Sequence, residues 1–238
     1  MLVILGLLAG GILAGQSLIR AAELRAVGSE YARWLTATNA FRDKYMGIPG
    51  DITNATLFWG AASNCFSGSG GAAIVTCNGN GDGLLASSYG GTAYNERFTY
   101  WQQMADAGLI EGAYTGFNDA AGVNYASLLN SPTSKLNGAM WYAFNNNATL
   151  SGSSVWFDGN YTRNMLQLSY GNSVTNRLLK PEEAWNLDTK LDDGMPARGR
   201  MMERIWNACT NAANSADLNA NYLLSATAVA CVPTFDIR

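Results

Sequence analysis

The sequence predicts an α+β protein in which a long N-terminal helix with a protruding apolar half packs on a globular head containing an antiparallel β-sheet. Residues 1–15 carry no charged or strongly polar side chain, and apolar residues continue beyond them as a one-sided stripe. Later segments alternate between helix-like and strand-like patterns. A chain of 238 residues, 48% of them hydrophobic and 14% charged, is long enough to bury a core.

The N-terminal helix is predicted over about residues 1–46, because no proline interrupts the pattern before Pro49. At 1.5 Å per residue such a helix is about 70 Å long. Residues 1–19 are apolar on all sides, whereas residues 20–46 are apolar on one face only. The second half therefore packs on the head through a stripe spaced by three and four residues, and its charged residues are predicted on the other faces. The stripe comprises Leu24, Val27, Tyr31, Trp34, Thr38, Phe41 and Tyr45.

The head, residues 47–238, is predicted to contain two further helices and three strands. One helix covers residues 94–107 and is closed by Gly108, and the other covers residues 180–191 with Pro181 in its first turn. The strands cover residues 140–146, 153–158 and 164–170, with a turn at residues 158–160. Residues 60–92 are rich in glycine, serine and asparagine and are predicted to be loop. The head shows no internal repeat and no second core.

Composition argues against most enzymes and against nucleic-acid binding. The chain has no histidine, which excludes imidazole-based acid–base catalysis and the commonest zinc sites. A net charge of −3 without a run of lysine or arginine argues against a nucleic-acid partner. The adjacent Asp192 and Asp193 do not by themselves form the facing carboxylate pair of a glycosidase. The sequence thus predicts no catalytic residues.

The four cysteines indicate an oxidising compartment. They form two sequence-local pairs without a CxxC motif, which favours disulfides over a metal site, a redox motif or four free thiols. Because short loops close readily, the predicted pairs are Cys65–Cys77 and Cys209–Cys231. The head is therefore predicted to lie outside the cytoplasm.

The apolar N-terminus fits a cleaved signal peptide poorly. No basic residue precedes the apolar run, and the helical stripe continues through the place where cleavage would occur. A simple bilayer anchor stays open as an alternative, although about 20 apolar residues are usually needed to span a membrane and this run is somewhat short.

Two polar clusters could hold a divalent cation. The segment Asn78–Gly83 matches the first half of a calcium loop, in which Asn78, Asn80 and Asp82 would bind Ca²⁺. The position of the expected bidentate glutamate is occupied by Tyr89, so a plain Asn-Gly turn is favoured. The second cluster, Asp188 with Asp192 and Asp193, is interpreted as a solvated helix end. No other cofactor is predicted.

Aromatic residues mixed with asparagine suggest carbohydrate binding as a further hypothesis. The two candidate segments are residues 141–146 and 156–161, although alternating aromatics in strands more often form core and subunit contacts. Short glycosylation motifs at Asn54, Asn147 and Asn160 are weak evidence.

Six segments together resemble the type IV pilin-like proteins, which carry a prepilin-type N-terminal cleavage and methylation segment. They are residues 5–34, 39–51 (NAFRDKYMGIPGD), 54–62 (NATLFWGAA), 77–83 (CNGNGDG), 101–116 and 186–199. The resemblance implies a type IV pilin fold and a subunit held in the inner membrane before assembly. It implies a prepilin peptidase and the pilus assembly machinery as partners, and a homopolymer of identical subunits as the product. The expected location is an extracellular filament on the cell surface.

The resemblance also implies a role for the apolar half of the helix as filament core. Its predicted interface residues are Leu2, Val3, Ile4, Leu5, Leu7, Leu8, Ile12, Leu13 and Ile19. The glycines Gly10, Gly11 and Gly15 weaken the helix by about 1 kcal/mol each, which predicts a non-helical segment there in the filament. The alternative is an unbroken helix whose glycines allow close helix–helix approach.

One departure from the family pattern concerns the start of the chain. The mature family helix usually has glutamate at its fifth position, where this sequence has Leu5. We therefore expect the sequence to begin inside the mature helix; the alternative is a subunit that lacks the usual head-to-tail charge contact. Two other functions remain open from sequence: a minor pilin with a surface- or glycan-binding role, and a pseudopilin of a type II secretion system.

Overall fold

The computed structural model describes part of the chain in detail. The described residues are 2–62, 75–85, 96–117, 127–145, 157, 164–173, 175–204 and 207–237, without the side chains of residues 2–9 and Leu13. The helices are α1 (Leu2–Tyr45), α2 (Ala55–Trp59), α3 (Glu96–Asp106) and α4 (Pro181–Leu191). The strands are β1 (Ala139–Asn145), β2 (Asn164–Tyr170), β3 (Met201–Glu203) and β4 (Pro233–Asp236). The chain is thus α+β, as predicted.

The long N-terminal helix is confirmed with nearly the predicted bounds. Helix α1 contains 44 residues and ends at Tyr45. The next residue, Met46, has a φ of 57° and turns the chain out of the helix. Pro49 follows shortly afterwards and could not continue a helix without loss of a backbone hydrogen bond.

A four-stranded antiparallel sheet forms the centre of the head, in the order β1-β2-β4-β3. Strands β1 and β2 confirm the predictions for residues 140–146 and 164–170, and they pair with each other directly. Strands β3 and β4 were not predicted. The strand predicted over residues 153–158 and the turn at 158–160 lie outside the described residues, apart from the buried Phe157.

The sheet is buried on both faces. One face carries Trp141, Leu166 and Phe235 and packs against α1, where the rings of Tyr31 and Phe235 lie 5.0 Å apart. The opposite face contributes to a smaller cluster that contains Phe144, Phe157, Met165, Ala197, Met202 and Ala220. Burial of both faces explains why almost every residue of β1 and β2 is buried.

The shorter helices agree with the sequence patterns in two of three cases. Helix α3 lies inside the predicted 94–107, and Gly108 closes it with a φ of 72°. Helix α4 begins at Pro181, one residue after the predicted start, and ends at Leu191 as predicted. Helix α2 was not predicted. The segment predicted as loop contains at least one β-bridge, between Ala61 and Thr76.

Within the described part of the chain, no helix is both long enough and apolar enough to cross a membrane. The transmembrane helix predicted over residues 1–19 is therefore not confirmed. The side chains of residues 2–9 and Leu13 lie outside the description.

Candidate functional site

The apolar half of α1 is exposed at the large apolar side chains that the structure describes there. The side chains of Ile12, Leu18 and Ile19 are 60%, 72% and 62% exposed. A Cβ atom added at Gly10, Gly11 or Gly15 would meet nothing within 4 Å beyond the helix itself. Of the predicted interface residues, Ile12 and Ile19 are therefore available for contact with another molecule. The side chains of the others lie outside the description: Leu2, Val3, Ile4, Leu5, Leu7, Leu8 and Leu13.

Helix α1 runs without a break through its three glycines. The predicted non-helical segment concerns the assembled filament, so it stays a prediction. In the single chain the backbone of Gly10, Gly11 and Gly15 is helical and open to close approach by another helix.

A bidentate ion pair marks where α1 meets the head. Arg20 donates from Nε to Glu183 Oε1 at 2.6 Å and from Nη2 to Glu183 Oε2 at 3.0 Å. Glu183 also accepts a hydrogen bond from the backbone N–H of Lys180, at 2.9 Å, and so caps α4. Partial burial opposes ionisation of Glu183, but these hydrogen bonds outweigh it and hold its pKa below the ordinary value. The apolar half of α1 thus ends at an arginine that two hydrogen bonds hold to Glu183.

The stripe on the second half of α1 packs on the head as predicted. Val27, Trp34 and Phe41 are buried in the main core. The rings of Trp34 and Trp101 lie 5.3 Å apart and meet edge to face, a favourable aromatic geometry. Helix α1 is therefore anchored on the head over its second half, whereas Ile12, Leu18 and Ile19 in its first half are exposed.

Glu30 contradicts the prediction that the charged residues of α1 avoid the stripe. Its side chain is only 6% exposed. It accepts hydrogen bonds from Trp141 Nε1 at 2.8 Å, Ser134 Oγ at 2.6 Å and the backbone N–H of Lys135 at 2.7 Å. These bonds tie α1 to β1 and to the loop before it, since Trp141 belongs to β1. A carboxylate with three donors is well compensated for its burial.

The asparagine-rich loop wraps around Asp51, a residue that the sequence analysis did not single out. Asp51 accepts hydrogen bonds from the backbone N–H groups of Gly81 at 2.8 Å and Gly83 at 2.9 Å. A Cβ atom at Gly79 would lie 2.2 Å from the backbone carbon of Asp51, so only glycine fits there. Burial raises the pKa of Asp51, and the hydrogen bonds from the glycine amides partly oppose that rise.

The predicted calcium ligands do not converge as a set. Asn78 Oδ1 accepts a hydrogen bond from the backbone N–H of Thr56 at 2.9 Å and so faces α2. Asp82 instead lies with Asp51 and Glu96, and one carboxylate oxygen of each falls within 4.8 Å of the others. Sequence reasoning missed the last two because they lie far from the loop in the chain.

Donors within the protein already engage this acidic group. Asn80 donates its backbone N–H to Glu96 Oε1 at 3.1 Å and its side-chain amide to Asp82 Oδ2 at 2.9 Å. The backbone N–H of Leu84 donates to Asp82 Oδ1 at 2.8 Å. This pattern is that of a hydrogen-bonded turn, the alternative favoured from sequence. Calcium binding stays a prediction.

The second predicted cluster differs from a solvated helix end. Asp188 has no exposed surface, and its Oδ2 accepts a hydrogen bond from the Tyr222 hydroxyl at 2.8 Å. Burial raises the pKa of Asp188 to about 7. The neighbouring Glu203 is also fully buried, and burial followed by the charge of Asp188 raises its pKa well above the ordinary range. Of the three predicted aspartates, Asp193 is the exposed one.

Asp188 is expected to make the chain less stable as the pH rises from about 4 to about 7. Its pKa is higher in the folded chain than its ordinary value, so the folded state binds more protons in that window and the free energy of unfolding falls as they leave. In Asp188→Asn this part of the pH dependence should disappear, as urea unfolding at several pH values would measure. Asp193→Asn is the comparison variant: it removes only a neighbouring charge that adds to the raised pKa of Asp188, so it should change the slope less than Asp188→Asn does. Equal slopes in Asp188→Asn and the wild type would contradict the assignment.

The cysteine prediction is confirmed for the C-terminal pair. Cys209 and Cys231 form a disulfide with a Cα–Cα distance of 5.0 Å. Cys77 is buried and disulfide-bonded. Cys65 lies outside the described residues, so the Cys65–Cys77 pairing stays a prediction.

The aromatic segment at residues 141–146 is core, which makes the carbohydrate hypothesis wrong for its described rings. Trp141, Tyr142 and Phe144 are 0%, 1% and 3% exposed, so none offers a face for a sugar to stack on. Residues 156–161 lie outside the description, except for the buried Phe157. Asn54 is exposed, whereas Asn147 and Asn160 lie outside the description.

Comparison with family models, with curated proteins and with solved structures finds no match to this chain.

Proposed function

We propose that this protein is the structural subunit of an extracellular, type IV pilus-like filament and that it polymerises through the apolar half of α1. One observation carries the proposal. A helical segment without charged side chains stands exposed around Ile12, Leu18 and Ile19, while the rest of the same helix is anchored in a folded head. Burial of each such side chain contributes about 1.5–3 kcal/mol, so an uncovered segment of this kind favours association.

A helical polymer suits this segment better than a closed dimer. The predicted interface residues and the three glycines surround the helix axis, so a single partner helix would leave other sides uncovered. Head-to-tail contacts that do not close generate open helical filaments in which several neighbours cover one helix. The charged residue Arg20 is paired with Glu183 and so marks the boundary between the polymerising segment and the head.

The disulfide and the sequence resemblance support an extracellular location for the filament. The Cys209–Cys231 disulfide is typical of proteins that fold in an oxidising compartment. The resemblance to type IV pilin-like proteins adds an inner-membrane stage, a prepilin peptidase and the pilus assembly machinery. The proposed function needs no active site and no cofactor.

Replacing Ile12 by aspartate is the direct test. We expect the full wild-type chain to form filaments once detergent is removed, visible by electron microscopy and recovered in the pellet after ultracentrifugation. Ile12→Asp should stay in the supernatant, because burial of an unpaired carboxylate costs several kcal/mol at every contact.

Asn39→Asp is the matched control, since Asn39 is exposed on the anchored half of the same helix. It should polymerise as the wild type does, and far-ultraviolet circular dichroism should show that both variants are folded. A wild-type chain that stays monomeric, or an Ile12→Asp variant that still polymerises, would overturn the proposal.

A further inference from the structure

A cleft lies between α1 and α4, close to the end of the apolar half of α1, and we name it the α1–α4 cleft. Residues of α1 between positions 21 and 32 line one side of it, and residues of α4 between positions 183 and 191 line the other. Its volume is about 540 Å³, within the range of about 300–1,000 Å³ that is usual for ligand pockets. A space of this size accommodates a small ligand or part of a larger one.

The two helices that form the cleft lie side by side and run in the same direction. Glu183, in the first turn of α4, is hydrogen-bonded to Arg20. Leu191, the last residue of α4, lies beside Gly28, where an added Cβ atom would be 3.4 Å from the leucine Cδ2. The two contacts are the same number of positions apart on both helices, so Lys190 lies at nearly the same height along α1 as Arg25.

The walls of the α1–α4 cleft are mostly apolar. Leu187 belongs to the main core, and Leu24 and Leu191 are partly buried against that core while they also line the cleft. Ala21 and Gly28 lie on the α1 side, where their small size leaves the space between the helices open. Because contact with hydrocarbon removes such surface from water, walls of this kind favour a hydrocarbon chain as the ligand.

Two cations line the same cleft without an acid of their own. Of the three charged residues in its lining, Glu183 is held by Arg20 through hydrogen bonds of 2.6 Å and 3.0 Å. The other two, Arg25 and Lys190, are exposed, and neither forms an ion pair with any residue that the structure describes. Two unpaired charges of one sign beside apolar walls attract an anion more strongly than they would on an open surface.

We propose that the α1–α4 cleft binds one anionic phospholipid, with the phosphate between Arg25 and Lys190 and an acyl chain between Leu24 and Leu187. This inference rests on the proposed function, in which a membrane holds the chain before assembly, and it adds a bound lipid to that stage. Charge complementarity selects the occupant. The apolar half of α1 from a second copy would match the apolar walls, but residues 10–19 contain no acid to pair with the two cations.

The order of these groups along α1 matches the order of the parts of a phospholipid. Arg25 lies about 9 Å beyond Ile19 along the helix axis, at about 1.5 Å per residue. The headgroup layer of a bilayer extends roughly 5–8 Å beyond its hydrocarbon on each side, and long basic side chains reach toward it. Ala21 and Leu24 lie between Arg25 and the apolar half. An acyl chain that follows them from the phosphate therefore leads into the hydrocarbon around residues 1–19.

Native mass spectrometry of the full chain, kept unpolymerised in a non-ionic detergent, tests this site. We expect one phosphatidylglycerol per chain to bind at least about tenfold more tightly than phosphatidylcholine with the same acyl chains, a difference of about 1.4 kcal/mol. Inorganic phosphate at the same concentration should not displace the lipid, because it makes no contact with the apolar walls.

A charge variant tests the two cations. Arg25→Gln with Lys190→Gln should weaken phosphatidylglycerol binding at least about tenfold and remove the preference over phosphatidylcholine. Arg33→Gln with Lys44→Gln is the matched control, since it removes the same charges from exposed residues of α1 that do not line the cleft. It should bind both lipids as the wild type does.

A filling variant tests the cleft without any change of charge. Ala21→Trp places a large side chain where the acyl chain would lie, so it should weaken the binding of both lipids. Ala22→Trp is its control, because Ala22 is exposed but does not line the cleft. Far-ultraviolet circular dichroism checks that each variant is folded.

The outcomes separate this inference from the proposed function, because lipid binding is measured on the single chain. Equal affinity for the two lipids, or displacement by inorganic phosphate, overturns the ligand. A preference that survives Arg25→Gln with Lys190→Gln overturns the site. If Ala21→Trp blocks polymerisation and leaves lipid binding unchanged, the cleft receives a neighbouring subunit and the lipid proposal is wrong. A chain that binds the lipid as expected but forms no filaments overturns the proposed function alone.

Discussion

Glu30→Ala is expected to lower the free energy of unfolding by about 4 kcal/mol, because it removes a buried carboxylate on which three donors depend. The loss leaves Trp141 Nε1 without its acceptor inside the core and opens a void between α1 and β1. The Ser134 hydroxyl and the backbone N–H of Lys135 lose their acceptor as well. Urea unfolding followed by tryptophan fluorescence, with the chain kept monomeric, measures the change.

Two variants show whether burial of Glu30 is the cause. Glu30→Gln keeps the volume and one acceptor oxygen, so about half of the effect of Glu30→Ala is expected. Glu23→Ala removes a partly exposed acid about two helix turns before Glu30, whose pair with Arg20 spans 3.4 Å, and should cost no more than about 1 kcal/mol. If Glu30→Ala and Glu23→Ala were equally mild, Glu30 would not hold α1 on the sheet.

Those elements that depend on local pattern were predictable from sequence. Helix α1 follows from an apolar run and a stripe with helical spacing, and α4 from Pro181 at its start. Strands β1 and β2 follow from aromatic and aliphatic runs of the right length. In each case, neighbouring residues in the chain carry the signal.

The strands β3 and β4 were missed because their formation depends on distant partners. They contain only 3 and 4 residues, and β4 begins at Pro233, which argues against a strand locally. The pairing of Met165 with Asp236 nevertheless places β4 between β2 and β3. No local pattern distinguishes such a short segment from a loop.

The candidate sites also divide into features that a local pattern predicts and features that depend on distant parts of the chain. The exposed apolar half of α1 was predictable, since a charge-free run is visible in the sequence itself. The exposure of Leu57 and Phe58 was not predictable, because it depends on where α2 lies on the head. Glu30 and Asp51 are single acids whose partners lie elsewhere in the chain, so their positions could only be found in three dimensions.

The aromatic segment of β1 illustrates an ambiguity that sequence could not resolve. Trp141 packs toward α1, while Tyr142 and Phe144 point to the other face of the sheet. A strand exposed on one face would have left some of these rings available to a ligand. Because both faces of the sheet are covered, these aromatic residues pack in the core on both sides of β1.

Removal of the C-terminal disulfide, by Cys209→Ala with Cys231→Ala, should lower the free energy of unfolding by about 3 kcal/mol. The two cysteines are 22 positions apart in the chain, and closure of a loop of that length restricts the unfolded chain by about this amount in the entropy model. Backbone hydrogen bonds hold both cysteines in place independently of the disulfide. The Cys231 carbonyl accepts from the backbone N–H of Leu178 at 2.9 Å, and the Cys209 carbonyl accepts from that of Leu223 at 2.9 Å.

Hydrogen exchange of the backbone amides separates the two ways in which this disulfide could act. If it stabilises by restricting the unfolded chain, protection should fall equally at the slowest amides of α1, such as Trp34, and at those of β4, such as Phe235. If it acts only by holding residues 209–231 in place, protection should fall in that segment and remain unchanged at Trp34. Because both cysteines are buried and backbone hydrogen bonds already fix their neighbours, we expect the uniform fall. A loss confined to residues 209–231 would contradict this expectation.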